Sequence, residues 1–70
     1  MITYTNLIDI FTGLKMNKIN VLSFNSDNNT ILISKITTAE IMAISATLKA
    51  TGFNNEIIVI ESLTFKIRFI

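Results

Sequence analysis

Acid–base and nucleophilic chemistry has little to work with in this chain. It contains no His and no Cys, so the side chains left for such work are chiefly five carboxylates: Asp9, Asp27, Glu40, Glu56 and Glu61. A general base poised near pH 7 or a thiolate nucleophile needs one of the missing types, or a carboxylate with a perturbing partner. Each acid has a structural explanation. Asp9 and Glu40 lie near helix starts, Asp27 lies in a turn, and Glu56 and Glu61 bracket the apolar run I-I-V-I. On a regular strand their odd separation puts Glu56 and Glu61 on opposite faces, so they are not expected to form a carboxylate pair. The reading is a protein that is not an enzyme.

Metal and phosphate chemistry fare no better. Without Cys or His only oxygen ligands remain. The stretch N25-S-D-N-N29 resembles the start of a calcium loop, but the sixth and twelfth positions of that pattern fall on Thr30 and Ile36 instead of Gly and Glu. Gly13 and Gly52 are too far apart to form a phosphate cradle. No cofactor and no metal are expected.

The C-terminal stretch T64-F-K-I-R-F-I70 alternates apolar and basic residues. Aromatic and cationic residues together suggest single-strand nucleic-acid binding. Strand alternation separates them: Phe65, Ile67 and Phe69 point one way, Lys66 and Arg68 the other. The first set is read as core and the second as a wetted face. Lys66 and Arg68 remain candidates for contact with a phosphate backbone or an acidic protein surface. Glu61, Asp27 and Asn28 join them as candidate partner-binding residues, as positions expected to be exposed near a sheet edge.

The elements follow from periodicity. Leu7, Ile10, Phe11 and Leu14 form one helical face. The expected helix covers residues 7–16, capped by Asn6 with Asp9 favouring its positive end. Residues 18–24 and 30–36 form a hairpin around the turn formers 25–29. T37-T-A-E40 is a capping box that opens a helix over 38–51, closed by Gly52, with Phe53 packing back on the last turn. Ala39, Ala43, Ala46 and Ala50 are expected to let this helix lie close to a sheet. Residues 56–61 form a continuous apolar run, expected as a central strand buried on both faces. Residues 64–70 follow as a strand, either after a tight turn at Ser62–Leu63 or as the continuation of one bent strand. Leu7, Ile10, Leu14 and Lys15 match Ile41, Ile44, Leu48 and Lys49 at an offset of 34. An α-β-β unit used twice would explain this, though chance similarity of two amphipathic helices is the simpler explanation.

The fold class is therefore α+β: one domain over residues 1–70, in the order α-β-β-α-β-β, with two helices on one face of a mainly antiparallel sheet of about four strands. Composition adds to this. Hydrophobic residues are 50% of the chain and charged residues 16%, against roughly 25% charged in an average domain. So small a domain, with no disulfide and no metal, needs a dense core or an oligomer. The surplus of Ile suggests a dry interface, and a homodimer is the expected assembly. Net charge is +1, which provides no long-range pull towards nucleic acid or anionic membrane. No apolar run is long enough to span a bilayer, and the start lacks the basic region of an export signal. A cytoplasmic location is expected, in a host cell if the protein is viral. The absence of Pro, Cys, His, Trp and Gln beside abundant Ile, Asn, Thr and Lys resembles the products of AT-rich genomes, as in bacteriophages and mobile elements. The leading expectation is a small protein-binding module that acts through a sheet edge or apolar face, such as an inhibitor of a host enzyme or defence complex. A nucleic-acid-binding module and a self-assembling structural subunit are the alternatives.

Overall fold

The two helices begin with the same device. In the computed structural model, which describes residues 2–70, helix α1 covers Tyr4–Met16 and helix α2 covers Thr38–Ala50. The Thr37 hydroxyl accepts the Glu40 N–H at 3.2 Å, and the Glu40 carboxylate accepts the Thr37 N–H at 3.2 Å. The Thr3 hydroxyl likewise accepts the Asn6 N–H at 3.1 Å, and the Asn6 side chain accepts the Thr3 N–H at 3.3 Å. Ile2 and Leu7 take the positions of a hydrophobic staple around the first cap, Ile36 and Ile41 around the second, and all four are buried. The first helix thus starts three residues earlier than residue 7. Asn6 is not its cap but the third helical residue, and Asp9 lies beyond the first turn, which carries no acid.

Both helices also end alike. Lys18, at φ 64°, and Gly52, at φ 96°, take the left-handed conformation after the last turn. The Ile19 N–H then bonds the Leu14 carbonyl, and the Phe53 N–H the Leu48 carbonyl, each at 3.0 Å. This is the Schellman closure at both ends.

Strands β1 (Val21–Asn25), β2 (Thr30–Ser34), β3 (Asn55–Glu61) and β4 (Thr64–Phe69) form one antiparallel sheet in the order β1-β2-β4-β3. Residues 56–70 are therefore a hairpin, turned at Ser62–Leu63, and not one bent strand. The 34-residue offset is a property of the fold. Thr38 lies 34 positions after Tyr4, and Thr64 lies 34 after Thr30. The left-handed residues Asn29 (φ 54°) and Leu63 (φ 57°), each just before a central strand, are also 34 apart. The central register pairs Leu32 with Lys66, its own counterpart, and pairs Thr30 with Arg68 as Ser34 pairs with Thr64. Such a register is what a two-fold axis through the Leu32–Lys66 pair requires. The chain is an α-β-β unit used twice about a local dyad.

The core sits between the helices and one face of the sheet. Ile31 and Ile33 of β2, Phe65, Ile67 and Phe69 of β4, and Leu7, Ile41 and Leu48 of the helices are buried in it. Lys66 and Arg68 take the other, uncovered face, as alternation requires.

Two expectations fail. Ala39, Ala43, Ala46 and Ala50 are exposed, because α2 buries the face of Ile41, Ser45 and Leu48 instead. And β3 is not central: it is an edge strand, and Ile58, Val59 and Ile60 are exposed. An unbroken apolar run marks a strand that is covered on both faces or one whose apolar side chains are left open. Here it is the second.

Candidate functional site: the open edge of β3

The dyad allows the two ends of the sheet to be compared within one molecule. Opposite Ile31 of β2 stands Phe24 on edge strand β1; opposite Phe65 of β4 stands Val59 on edge strand β3. Phe24 is sealed by its own helix. Its ring lies 4.8 Å from that of Phe11 and 6.3 Å from that of Tyr4, and Lys15 reaches to 5.2 Å above Phe11. Thirty-four positions on, Phe11 becomes Ser45 and Tyr4 becomes Thr38. Nothing aromatic covers Val59, which is 68% exposed.

Ser45 has a different task. It is buried, and its hydroxyl donates to the Asn55 side-chain oxygen. The Asn55 amide donates to the Phe53 carbonyl at 3.0 Å and to the Ser45 carbonyl at 3.4 Å. This pair fastens α2 to the start of β3 and satisfies both polar groups. Being small, it leaves a groove of about 420 Å³ between α2 and β3, lined by Met42, Ala46, Lys49, Glu56 and Ile57 around the Ser45–Asn55 floor. Met42 is 60% exposed at its rim.

The far end of β3 is also apolar. A bulge between Val59 and Glu61 pushes out Ile60, and the turn that follows places Leu63, 50% exposed, in the left-handed conformation. That conformation suits Asn or Gly better than Leu; the first repeat has Asn29 there. On the uncovered sheet face, Ile58 stands opposite Lys66 where β1 has Ser23 opposite Leu32.

The residues expected from sequence to bind a partner do not form one site. Lys66 and Arg68 lie on β4, inside the sheet and not at an edge. Arg68 is held by Glu56, with Nε 2.7 Å from the carboxylate. Glu61 stands at the end of β3. The bulge brings it opposite Thr64, which shares the alternation of Lys66 and Arg68. Glu56 and Glu61 therefore share a face, contrary to the expectation for a regular strand, but stand at opposite ends of it. Asp27 and Asn28 lie in the β1–β2 turn, at the other end of the sheet from Glu61. They build that turn: the Asp27 N–H donates to the Asn25 side chain, and the Asn28 side chain accepts the Thr30 hydroxyl, each at 2.8 Å. The sequence reading missed Met42, Ile57, Val59 and Leu63. Aligning the repeats would have shown Leu63 against Asn29, and Ser45 against Phe11.

A second hollow, about 360 Å³, lies between the helices and is lined by Ile10, Gly13, Leu14, Ile44, Thr47 and Leu48 among others. No charged group points to a ligand there. Among the described residues no three His, Cys, Asp or Glu side chains come together, and no helix is long and apolar enough to cross a membrane. Comparison of the chain with protein-family models, with curated proteins and with solved structures finds no match.

Proposed function

We propose that this protein is a non-enzymatic binding module that acts stoichiometrically through the β3 edge, by adding a strand of another polypeptide chain to its sheet. The observation that supports this is the contrast between the edges: β1 is five residues long and sealed by Phe11 and Tyr4, whereas β3 is seven residues long and leaves Val59 uncovered. Edge strands ordinarily carry Lys, Pro or a covering element to suppress pairing. In β3 the carboxylates Glu56 and Glu61 stand at the ends, and the middle is Ile, Ile, Val, Ile. Strand addition uses main-chain hydrogen bonds for affinity and side-chain pockets for specificity. Beside β3, the α2–β3 groove supplies such a pocket. Inhibition by occupancy, of a host enzyme or defence complex, is the action proposed for such a module. The nucleic-acid reading loses support because Arg68 is paired with Glu56 and Lys66 has no second free cation beside it on β4.

The test is affinity capture with tagged wild type, Val59→Lys and Ser23→Lys, from a lysate that also contains the untagged chain. A stoichiometric partner, either a host protein or the untagged copy, should come down with wild type and Ser23→Lys. It should be lost with Val59→Lys. Equal recovery by all three, or none by wild type, overturns the reading.

A further inference from the structure

We infer that the strand added to β3 belongs to a second copy of this chain, which pairs antiparallel to give one eight-stranded sheet with all four helices on one face. This rests on the reading of β3 as a binding edge and names its partner. Backbone parity permits such pairing. The Ile70 N–H bonds the Asn54 carbonyl at 3.0 Å, so alternation along the ladder turns the backbone groups of Glu56 and Ile58 towards β4. Those of Ile57 and Val59 turn outwards, unpaired. A two-fold axis at Ile58 sets Ile57 opposite Val59 of the second copy and Val59 opposite its Ile57. Both are hydrogen-bonded pairs, so the outward groups of these two residues find partners. Ile58 meets its own image in the non-bonded position, where side chains approach most closely.

Complementarity favours it. That register matches apolar to apolar at its centre: Ile57 with Val59 on the helix side, and Ile58 with its own image on the uncovered face. The bulge after Val59 ends the regular ladder and turns Glu61 to the uncovered face, the face of Glu56. Glu56, the carboxylate nearest that end of the second copy, is already neutralised by Arg68 at 2.7 Å. Met42, which shares a groove with Ile57, supplies apolar cover on the helix side. The molecule also contains a precedent. Each α-β-β unit already joins its counterpart by antiparallel pairing about a dyad, at β2–β4. Pairing at β3 repeats that operation once more. A two-fold contact of this kind closes on itself, leaving only the blunted β1 edges at the ends.

The experiment is sedimentation equilibrium over roughly 1 µM to 1 mM chain, at low and high salt, on wild type, Val59→Lys and Ser23→Lys, with circular dichroism to confirm folding. Wild type and Ser23→Lys should be dimers with a dissociation constant little changed by salt. Val59→Lys should raise that constant at least 100-fold. Amide exchange on wild type gives a measurement without substitution: the Ile57 and Val59 amides should exchange more slowly as concentration rises, and the β1 amides should not. A wild type that stays monomeric throughout, or Ile57 and Val59 amides indifferent to concentration in a dimer, overturns the inference. If such a monomer still captures a host protein that Val59→Lys loses, the binding edge stands and its occupant is a different chain. If it captures nothing, both readings fall.

Discussion

At the scale of single residues, the two helix caps form a matched pair that differs in one charge. Each cap hydroxyl is expected to contribute about 1 kcal/mol, so Thr3→Ala and Thr37→Ala should each lose that much in urea denaturation at neutral pH. Their response to acid should differ. The Thr37 hydroxyl, and then its backbone N–H, bond the Glu40 carboxylate and hold its pKa below the usual carboxylate range. A carboxylate more acidic in the folded state stabilises above its unfolded pKa, and that contribution fades as pH falls through the folded value. The first cap uses Asn6, which does not titrate. Acidification should therefore weaken α2 selectively, and Glu40→Gln should flatten that part of the stability profile. An acid slope unchanged in Glu40→Gln would remove the cap from the account. Leu63 offers the opposite sign of effect. It is half exposed and held at φ 57°, where a side chain other than Asn or Gly is strained. Leu63→Asn should stabilise the monomer by about 1 kcal/mol, seen as a higher urea midpoint.

At the scale of elements, the helices and the first hairpin were legible because their signals are local; the turn at Ser62–Leu63 has no Gly or Asn to mark it, and one bent strand was the alternative there. Thr37 and Glu40 announce α2, Gly52 ends it, and the alternation of Phe65, Ile67 and Phe69 against Lys66 and Arg68 fixes the faces of β4. The start of α1 was less legible because Asn6 does in the first capping box what Glu40 does in the second, and Asn also reads as a cap. The rank of β3 could not be read locally. I-I-V-I is compatible with a covered strand or an open one, and the difference lies on α2, where Ser45 stands in place of an aromatic ring. Likewise the four alanines mark the flanks of α2 and not its buried face, because Ile41, Ser45 and Leu48 are the residues that touch the sheet side. The candidate site was illegible for the same reason: it is made by what the second repeat lacks relative to the first.

The whole molecule behaves as one unit because its halves share a core. Leu7 and Ile41 hold the same place in the two repeats, and both are fully buried. Truncating either to Ala should cost about 2–5 kcal/mol, a large part of the stability of so small a domain. The central β2–β4 pair carries residues of both repeats, so each variant should unfold in a single transition, by fluorescence of Tyr4 and by circular dichroism alike. A biphasic curve would mean that the repeats fold separately.

The pair on the local axis, Leu32 opposite Lys66, bears on which repeats can join at a central seam. If two molecules swapped so that β4 of one paired with β4 of the other in the same register, Lys66 would face Lys66, and like charges directly opposite are destabilising. Only the union of a first repeat with a second sets an aliphatic side chain against the ammonium stem. One position, occupied differently in the two repeats, thus biases the central seam against the union of two second repeats.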